Sequence, residues 1–175
     1  NDLHVLDTST HTWVFPSVRG DEPDAREGHS ATLVGKRLFI FGGCGKSSNS
    51  STEVYYNDLY ILDTVTFIWK RANTSGTPPS ARDTHSCSSW KNKIIVIGGE
   101  DAHDFYLSDV HILDTETGLW TKLTAIGDGP SARFSVAGDS LDPCKGGVLV
   151  FVGGCSRQLE ALDDMYYLHT ELTSE

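Results

Sequence analysis

The sequence predicts an all-β fold of small antiparallel sheets packed face to face, and three observations carry that expectation. First, the glycine pairs Gly42-Gly43, Gly98-Gly99 and Gly153-Gly154 recur 56 and 55 residues apart, each closing an apolar run: RLFIFGG (37–43), KIIVIGG (93–99) and VLVFVGG (148–154). Second, three other landmarks keep step. Trp13, Trp69 and Trp120 are separated by 56 and 51 residues, as are Arg26, Arg82 and Arg133, while Asp2-Leu3, Asp58-Leu59, Asp109-Val110 and Asp164-Met165 recur at 56, 51 and 55. Third, β-branched and aromatic residues are dense and no helical period is sustained. A fixed period of about 50 residues marks a chain built from one repeated supersecondary unit.

Each unit reads as four short strands. The first is GHSATLVG (28–35), with counterparts beginning at Thr84 and Phe134. The second is the apolar run before Gly-Gly. It does not alternate, so both of its faces are expected to be covered by neighbouring sheets. The glycines then let the chain turn at once beside another backbone, where φ > 0 or close approach excludes a Cβ. The third strand is NDLYILDT (57–64), echoed by NDLHVLDT (1–8), SDVHILDT (108–115) and DDMYYLHT (163–170). Asp7, Asp63 and Asp114 end three of these and each precedes a tryptophan by six residues, which suits an Asp side chain bonding backbone two residues on in a tight turn. The fourth strand carries the tryptophan, as in FIWKRA (67–72), expected as an apolar plate between adjacent sheets.

Arg-x-x-His, an apolar strand ending in Gly-Gly, then Asp-Leu-x-x-Leu-Asp-Thr and Trp together resemble the Kelch repeat, over essentially the whole chain. The wording PPSARDTHSCSSWKNKIIVIGGEDAHD (78–104) is similar to plant intracellular Kelch proteins. The resemblance implies β-propeller blades of four antiparallel strands. Residues 1–18 then supply the end of a blade, 19–72 and 73–124 two complete blades, and 130–170 a partial one, about three blades in all. Propellers close with ~4–8 blades, so the expectation is an open fragment of a six- or seven-bladed ring. The third repeat departs from the pattern: Phe134-Ser135-Val136 is read in the place of Gly28-His29-Ser30 and Thr84-His85-Ser86, losing the histidine, and DSLDPCKGG (139–147) is inserted.

Composition narrows the function. Lys and Arg total 14 against 24 Asp and Glu, a net charge of −10. That argues against a nucleic-acid surface, which shows a basic stripe. No apolar run approaches the ~18–20 residues that span a membrane, so no membrane insertion is expected. Cys44, Cys87, Cys144 and Cys155 form no CxxC pair and read as reduced thiols of a cytoplasmic protein, with the nucleus open. The sequons at Asn49 and Asn73 matter only in a secreted protein.

No catalytic motif is present: G-x-S-x-G, HExxH and CxxC are all missing. Gly45-Lys46-Ser47 lacks the upstream glycine of a P-loop, having Ile40 inside a strand instead. The cluster Glu100, Asp101, His103 and Asp104 has oxygen and nitrogen donors. It does not continue as the iron motif of Kelch specifier proteins, because residue 108 is Ser, so neither metal nor cofactor is expected. In some Kelch proteins the matching arginines bind acidic peptides. The resemblance therefore implies a partner-binding rim of Arg26, Arg82 and Arg133, with Cys44, Gly45, Lys46, Glu100, Asp101 and His103 from the loops after Gly-Gly. The competing reading has each arginine bonding loop carbonyls and packing between blades. His29 and His85 read as structural. The expected function is a non-enzymatic protein-interaction module for a protein or peptide partner. The alternatives are a metal-dependent specifier or oxidase-like enzyme, and a regulatory propeller fused to an acyl-CoA-binding or phosphatase domain.

Overall fold

The structure is a computed structural model and describes residues 1–46, 52–124, 127–142 and 147–170. The sequon at Asn49, Cys144 and parts of the Ser-rich loop and the 139–147 insertion lie outside them.

Among the described residues all regular structure is β. A two-stranded sheet comes first, β1 (Val5–Asp7) against β2 (Thr12–Val14). The second sheet holds β3 (Arg19–Gly20), β4 (Ser30–Val34) and β5 (Arg37–Phe41). Then β6 (Cys44–Lys46) and β7 (Glu53–Tyr55) form a separate hairpin before the chain returns as β8 (Leu59–Asp63) and β9 (Ile68–Arg71). The third sheet repeats this with β10 (Ser75–Gly76), β11 (Ser86–Trp90), β12 (Lys93–Glu100), β13 (Tyr106–Asp114) and β14 (Leu119–Leu123). The fourth has β15 (Ala137–Ser140), β16 (Val148–Val152) and β17 (Met165–His169). Both larger sheets contain the four expected antiparallel strands, in the orders β9-β8-β5-β4 and β14-β13-β12-β11. Each also gains a two-residue parallel strand, β3 on β9 and β10 on β14, too short to leave an alternation in the sequence.

The sheets stack in chain order, with β11 lying between β4 and β15. The middle strand of each large sheet is buried on both faces, and the period of two sorts its side chains. On β5, Phe39 and Phe41 pack with Ile94, Val96, Leu113 and Trp120 of the third sheet, while Ile40 packs with Tyr60, Leu62 and Trp69 towards Leu3 and Val18. On β12, Ile95 and Ile97 turn the other way, to Val136, Leu149 and Phe151 of the fourth sheet. Trp69 and Trp120, 7% and 2% exposed, are the expected plates, each packed towards the preceding sheet. Trp13 differs at 60% exposed, because no sheet lies on that side of β1–β2 among the described residues.

The glycine pairs are where the stack is tightest. Gly98 and Gly99 have φ of 65° and 98°, and a Cβ on Gly99 would lie 2.5 Å from the Asp83 carbonyl oxygen. Only a residue without a side chain fits that position. The turns behave as expected too. Oδ1 of Asp7 accepts from the Ser9 and Thr10 amides, Asp63 from Val65 and Thr66, and Asp114 from Glu116 and Thr117. Their carboxyls sit below the ordinary range: Asp7 at about 2 through its bonds from Ser9 and Asp63 through Thr66, whereas for Asp114 the largest cause is Lys93.

One sequence alignment is corrected. Ser135, not Phe134, occupies the position of Gly28 and Thr84. All three have left-handed φ, 55°, 64° and 48°. They share a hydrogen-bond chain through the stack, Ser135 N–H to the Thr84 carbonyl at 2.9 Å and Thr84 N–H to the Gly28 carbonyl at 2.8 Å. Val136 therefore stands where His29 and His85 stand.

Candidate functional site

The loops after Gly-Gly and the segments that bear the arginines run side by side. Antiparallel bridges join Glu27 to Cys44, Asp83 to Glu100 and Phe134 to Cys155. This common rim is where the sequence places the partner-binding residues.

The arginines reach this rim from below, and their guanidinium groups are held inside it. Nη1 of Arg26 donates to Asp58 at 2.6 Å and to the Gly42 carbonyl at 3.0 Å, under Tyr56, whose ring centroid is 4.1 Å away. Arg82 is 0% exposed. It donates to both carboxylate oxygens of Asp109, at 2.6 and 3.0 Å, to the Gly98 carbonyl at 3.0 Å and to Ser80. Arg133 repeats this with Asp164, the Gly153 carbonyl and Ser131. Each arginine thus ties the first glycine of its own Gly-Gly to the start of its third strand. Its backbone also serves the preceding sheet: Gly43 N–H donates to the Arg82 carbonyl and Gly99 N–H to the Arg133 carbonyl. Bidentate pairing of this kind is strong and directional. It pairs the guanidinium groups within their own blades, with the side chains of Arg26, Arg82 and Arg133 only 3%, 0% and 4% exposed.

Sequence reasoning placed Asp58, Asp109 and Asp164 among the landmarks without reading them as the arginines' partners. The signal was available, since Asp58 and Asp109 are 51 residues apart and Asp109 and Asp164 55, in step with the rest. Asp109 carries a further load. Its Oδ2 faces Nε2 of buried His111 at 2.9 Å, and despite burial, Arg82 and then His111 hold its carboxyl down at about 2. His85 is buried against Phe41 and meets Ser30 of the neighbouring sheet at 2.8 Å; burial first, then Arg82, lowers it to about 3.

With the arginines paired internally, the charge left at the rim is mostly acidic, with exposed Lys46 among it. Glu27, Glu53 and Asp104 are exposed, and Asp83, Glu100 and Asp101 half-buried. They crowd one another. Burial and then Asp83, Asp104 and Asp101 raise the Glu100 carboxyl, and burial followed by Asp83 pushes the Tyr55 phenol to about 12. Asp101 accepts the amides of His103 and Phe105 and so shapes its loop, leaving the His103 ring exposed. Ala25, Arg26, Glu27, Cys44, Gly45, Lys46 and Glu53 line an open cleft of about 410 Å³ on this rim.

Among the described residues one group of donors converges closely enough for a metal ion, Glu27, Cys44 and Glu53. The thiol does not suit that role. Cys44 is buried and donates to Asp83 at 3.3 Å, and burial with that bond pushes it to about 12, far from the thiolate a metal ligates.

Residues 1–143 match the family described as the KLHDC2/KLHL20/DRC7 Kelch-repeats domain. The chain belongs to the Kelch-repeat family. Its Kelch relatives include Acyl-CoA-binding domain-containing protein 5 of Arabidopsis thaliana, 35% identical over 134 residues, which cover 77% of this chain and 20% of that protein. Kelch domain-containing protein 3 of Homo sapiens is 29% identical over 182 residues, 98% of this chain and 46% of that protein. Host cell factor 2 of Homo sapiens is 32% identical over 193 residues, 99% of this chain and 23% of that protein. The chain therefore spans under half the length of these Kelch relatives. The sheets described above are Kelch blades, and no helix is long and apolar enough to cross a membrane among the described residues.

Proposed function

We propose that this chain is a non-enzymatic interaction module whose acidic rim docks a protein or peptide segment bearing basic side chains. One observation carries the reading: the rim's arginines are paired within their blades, while Glu27 and Glu53 stay exposed in the wall of an open cleft and Asp104 stays exposed in the loop after Gly98-Gly99. Stacked blades supply a rigid base, and loops on such a base commonly carry recognition. The partner recognised is thus opposite in charge to the acidic peptide that the family resemblance implied. Free thiols at Cys44, Cys87 and Cys155 favour a cytoplasmic setting. A regulatory role within a longer protein is the second reading, supported by the Arabidopsis relative, in which the matched segment is a fifth of the chain.

The test is binding of fluorescent lysine-rich and glutamate-rich peptides of equal length to residues 1–175 and to a Glu27→Lys/Glu53→Lys/Asp104→Lys variant. All three positions are exposed, so the variant is expected to fold. The lysine-rich peptide should bind the parent, weaken steeply with salt, and lose most of its affinity for the variant. Preference for the glutamate-rich peptide, or equal binding by parent and variant, would refute the acidic rim.

A further inference from the structure

The rim differs from one seam to the next. Between the second and third sheets, the residue after Gly-Gly is Cys44, whose thiol donates to Asp83 at 3.3 Å and closes the seam. Between the third and fourth sheets, Glu100 takes the place of Cys44 and Phe134 the place of Asp83, as the matching bridges Asp83–Glu100 and Phe134–Cys155 show. Phe134 has no side-chain group to pair with a carboxylate. Among the described residues the Glu100 side chain receives no hydrogen bond and joins no ion pair. Tyr106, paired with Glu100 across the strands, sets its ring 4.9 Å from that of Phe134. Next to it Phe105 is 54% exposed yet fixed in place. Its N–H donates to Oδ1 of Asp101 and its carbonyl accepts from the Asp101 amide, both at 3.1 Å. Asp104 just before it is exposed, at a left-handed φ of 57°. Sheets lie on both sides of this seam, so its open carboxylates and ring are not an end of the stack.

We propose that this seam selects arginine over lysine in the partner's basic segment, stacking the guanidinium on the exposed Phe105 ring and bonding it to Asp104 and Glu100. A planar guanidinium presents a fork of donors and stacks on aromatic faces, whereas an ammonium is a compact, strongly hydrated charge. The molecule already builds such places for its own arginines. The Arg26 guanidinium lies 4.1 Å from the Tyr56 ring centroid and pairs with Asp58, and that of Arg133 lies 5.4 Å from Tyr166 and pairs with Asp164. A docked cation also relieves the crowding of Glu100 by Asp83, Asp104 and Asp101. Arg157, in the loop of the fourth sheet, is exposed and acts on Tyr106 too, but one cation leaves the seam negative against Glu100, Asp101 and Asp104. The proposal rests on the acidic rim and names the side chain that the rim prefers.

The probes are two fluorescent Gly-Ser peptides of equal length and charge, one carrying arginines and the other lysines, titrated against residues 1–175 and its variants. The parent should bind the arginine peptide about three-fold or more tightly than the lysine peptide, the gain expected from an exposed cation–π contact. Phe105→Leu keeps an apolar side chain at an exposed position, so it should fold like the parent, and it should bind the two peptides equally. Phe105→Tyr should restore the preference. Glu27→Lys/Glu53→Lys should weaken both peptides and leave their ratio unchanged. Equal binding of the two peptides by the parent, or a preference that survives in Phe105→Leu, overturns the arginine site and leaves the acidic rim standing. Failure of both peptides to bind removes the rim and this site together. Arg157→Ala should bind the arginine peptide at least as tightly as the parent. Binding of that peptide by Arg157→Ala alone would give the seam to the chain's own arginine and overturn its assignment to a partner.

Discussion

The third and fourth sheets carry the same repeat but live in different surroundings. On β12, Ile94 and Val96 are covered by the second sheet and Ile95 and Ile97 by the fourth. On β16, among the described residues, only one face is covered. Leu149 and Phe151 are buried against the third sheet, while Val152, the counterpart of Ile97, is exposed. Arg82 pairs with an Asp109 carboxylate that is mostly shielded, and Arg133 with a more open Asp164. The motif fixes which groups meet, and the neighbouring sheets fix how much each meeting is worth.

The arginine pairs give the largest expected effect. Asp109→Ala leaves a fully buried guanidinium without its partner, which costs about 3–5 kcal/mol. Asp164→Ala makes the same deletion where water can reach the freed donors, and about 1–3 kcal/mol is expected. Urea denaturation of the two variants measures the gap. Equal losses would show that burial does not set the strength of these pairs.

The glycines six residues before each arginine sharpen the comparison at a smaller scale. Alanine at either Gly76 or Gly127 must adopt a left-handed φ, and strain of this kind costs on the order of 1–3 kcal/mol. At Gly76 the added methyl also meets the Trp120 carbonyl, so Gly76→Ala should sit at or above the top of that range and Gly127→Ala near the bottom. Matching midpoints for the two variants would count against the close approach of β10 to β14.

Much of this was legible because the repeat is written in residues that have one job. A pair of glycines, a tryptophan and a turn aspartate each answer a local backbone or packing demand. The strands and the Asp63 and Asp114 turns could therefore be read directly. The arginine pairing could not, because Arg82 and Asp109 lie 27 residues apart and only their common period links them. Gly20, Gly76 and Gly127 keep the period too, yet they sit in polar connections with no apolar run to mark β3 or β10. The slip at Phe134 arose because Gly28, Thr84 and Ser135 share a backbone angle and not a residue type. Trp13 shows the remaining limit: it keeps the period but stays exposed, because no sheet covers it among the described residues, which no local pattern encodes.

The smallest expected effect separates the two sheets by pH. The third sheet keeps a histidine at position 85, where the fourth has Val136. His85 is buried beside Arg82 and lowered from 6.5 to about 3, so the unfolded chain binds its proton first as the solution is acidified. Stability from this residue is whole above 6.5 and is lost progressively down to about 3, the reverse of a histidine that gains an anionic partner. Between about pH 7.5 and about pH 5.5 the loss should be about 1 kcal/mol. His29, exposed yet lowered by partial desolvation and then by Arg26, acts in the same direction, so the measurement must be a difference. His85→Gln can keep a hydrogen bond to Ser30 and removes the titration. Its melting temperature should fall less than the parent's across that interval, while Asp109, held at about 2, stays ionised in both. Parallel pH profiles for the parent and His85→Gln would mean that the imidazole is protonated without cost where it stands, and that the packing of Phe41 and Gly42 around it is looser than the structure shows.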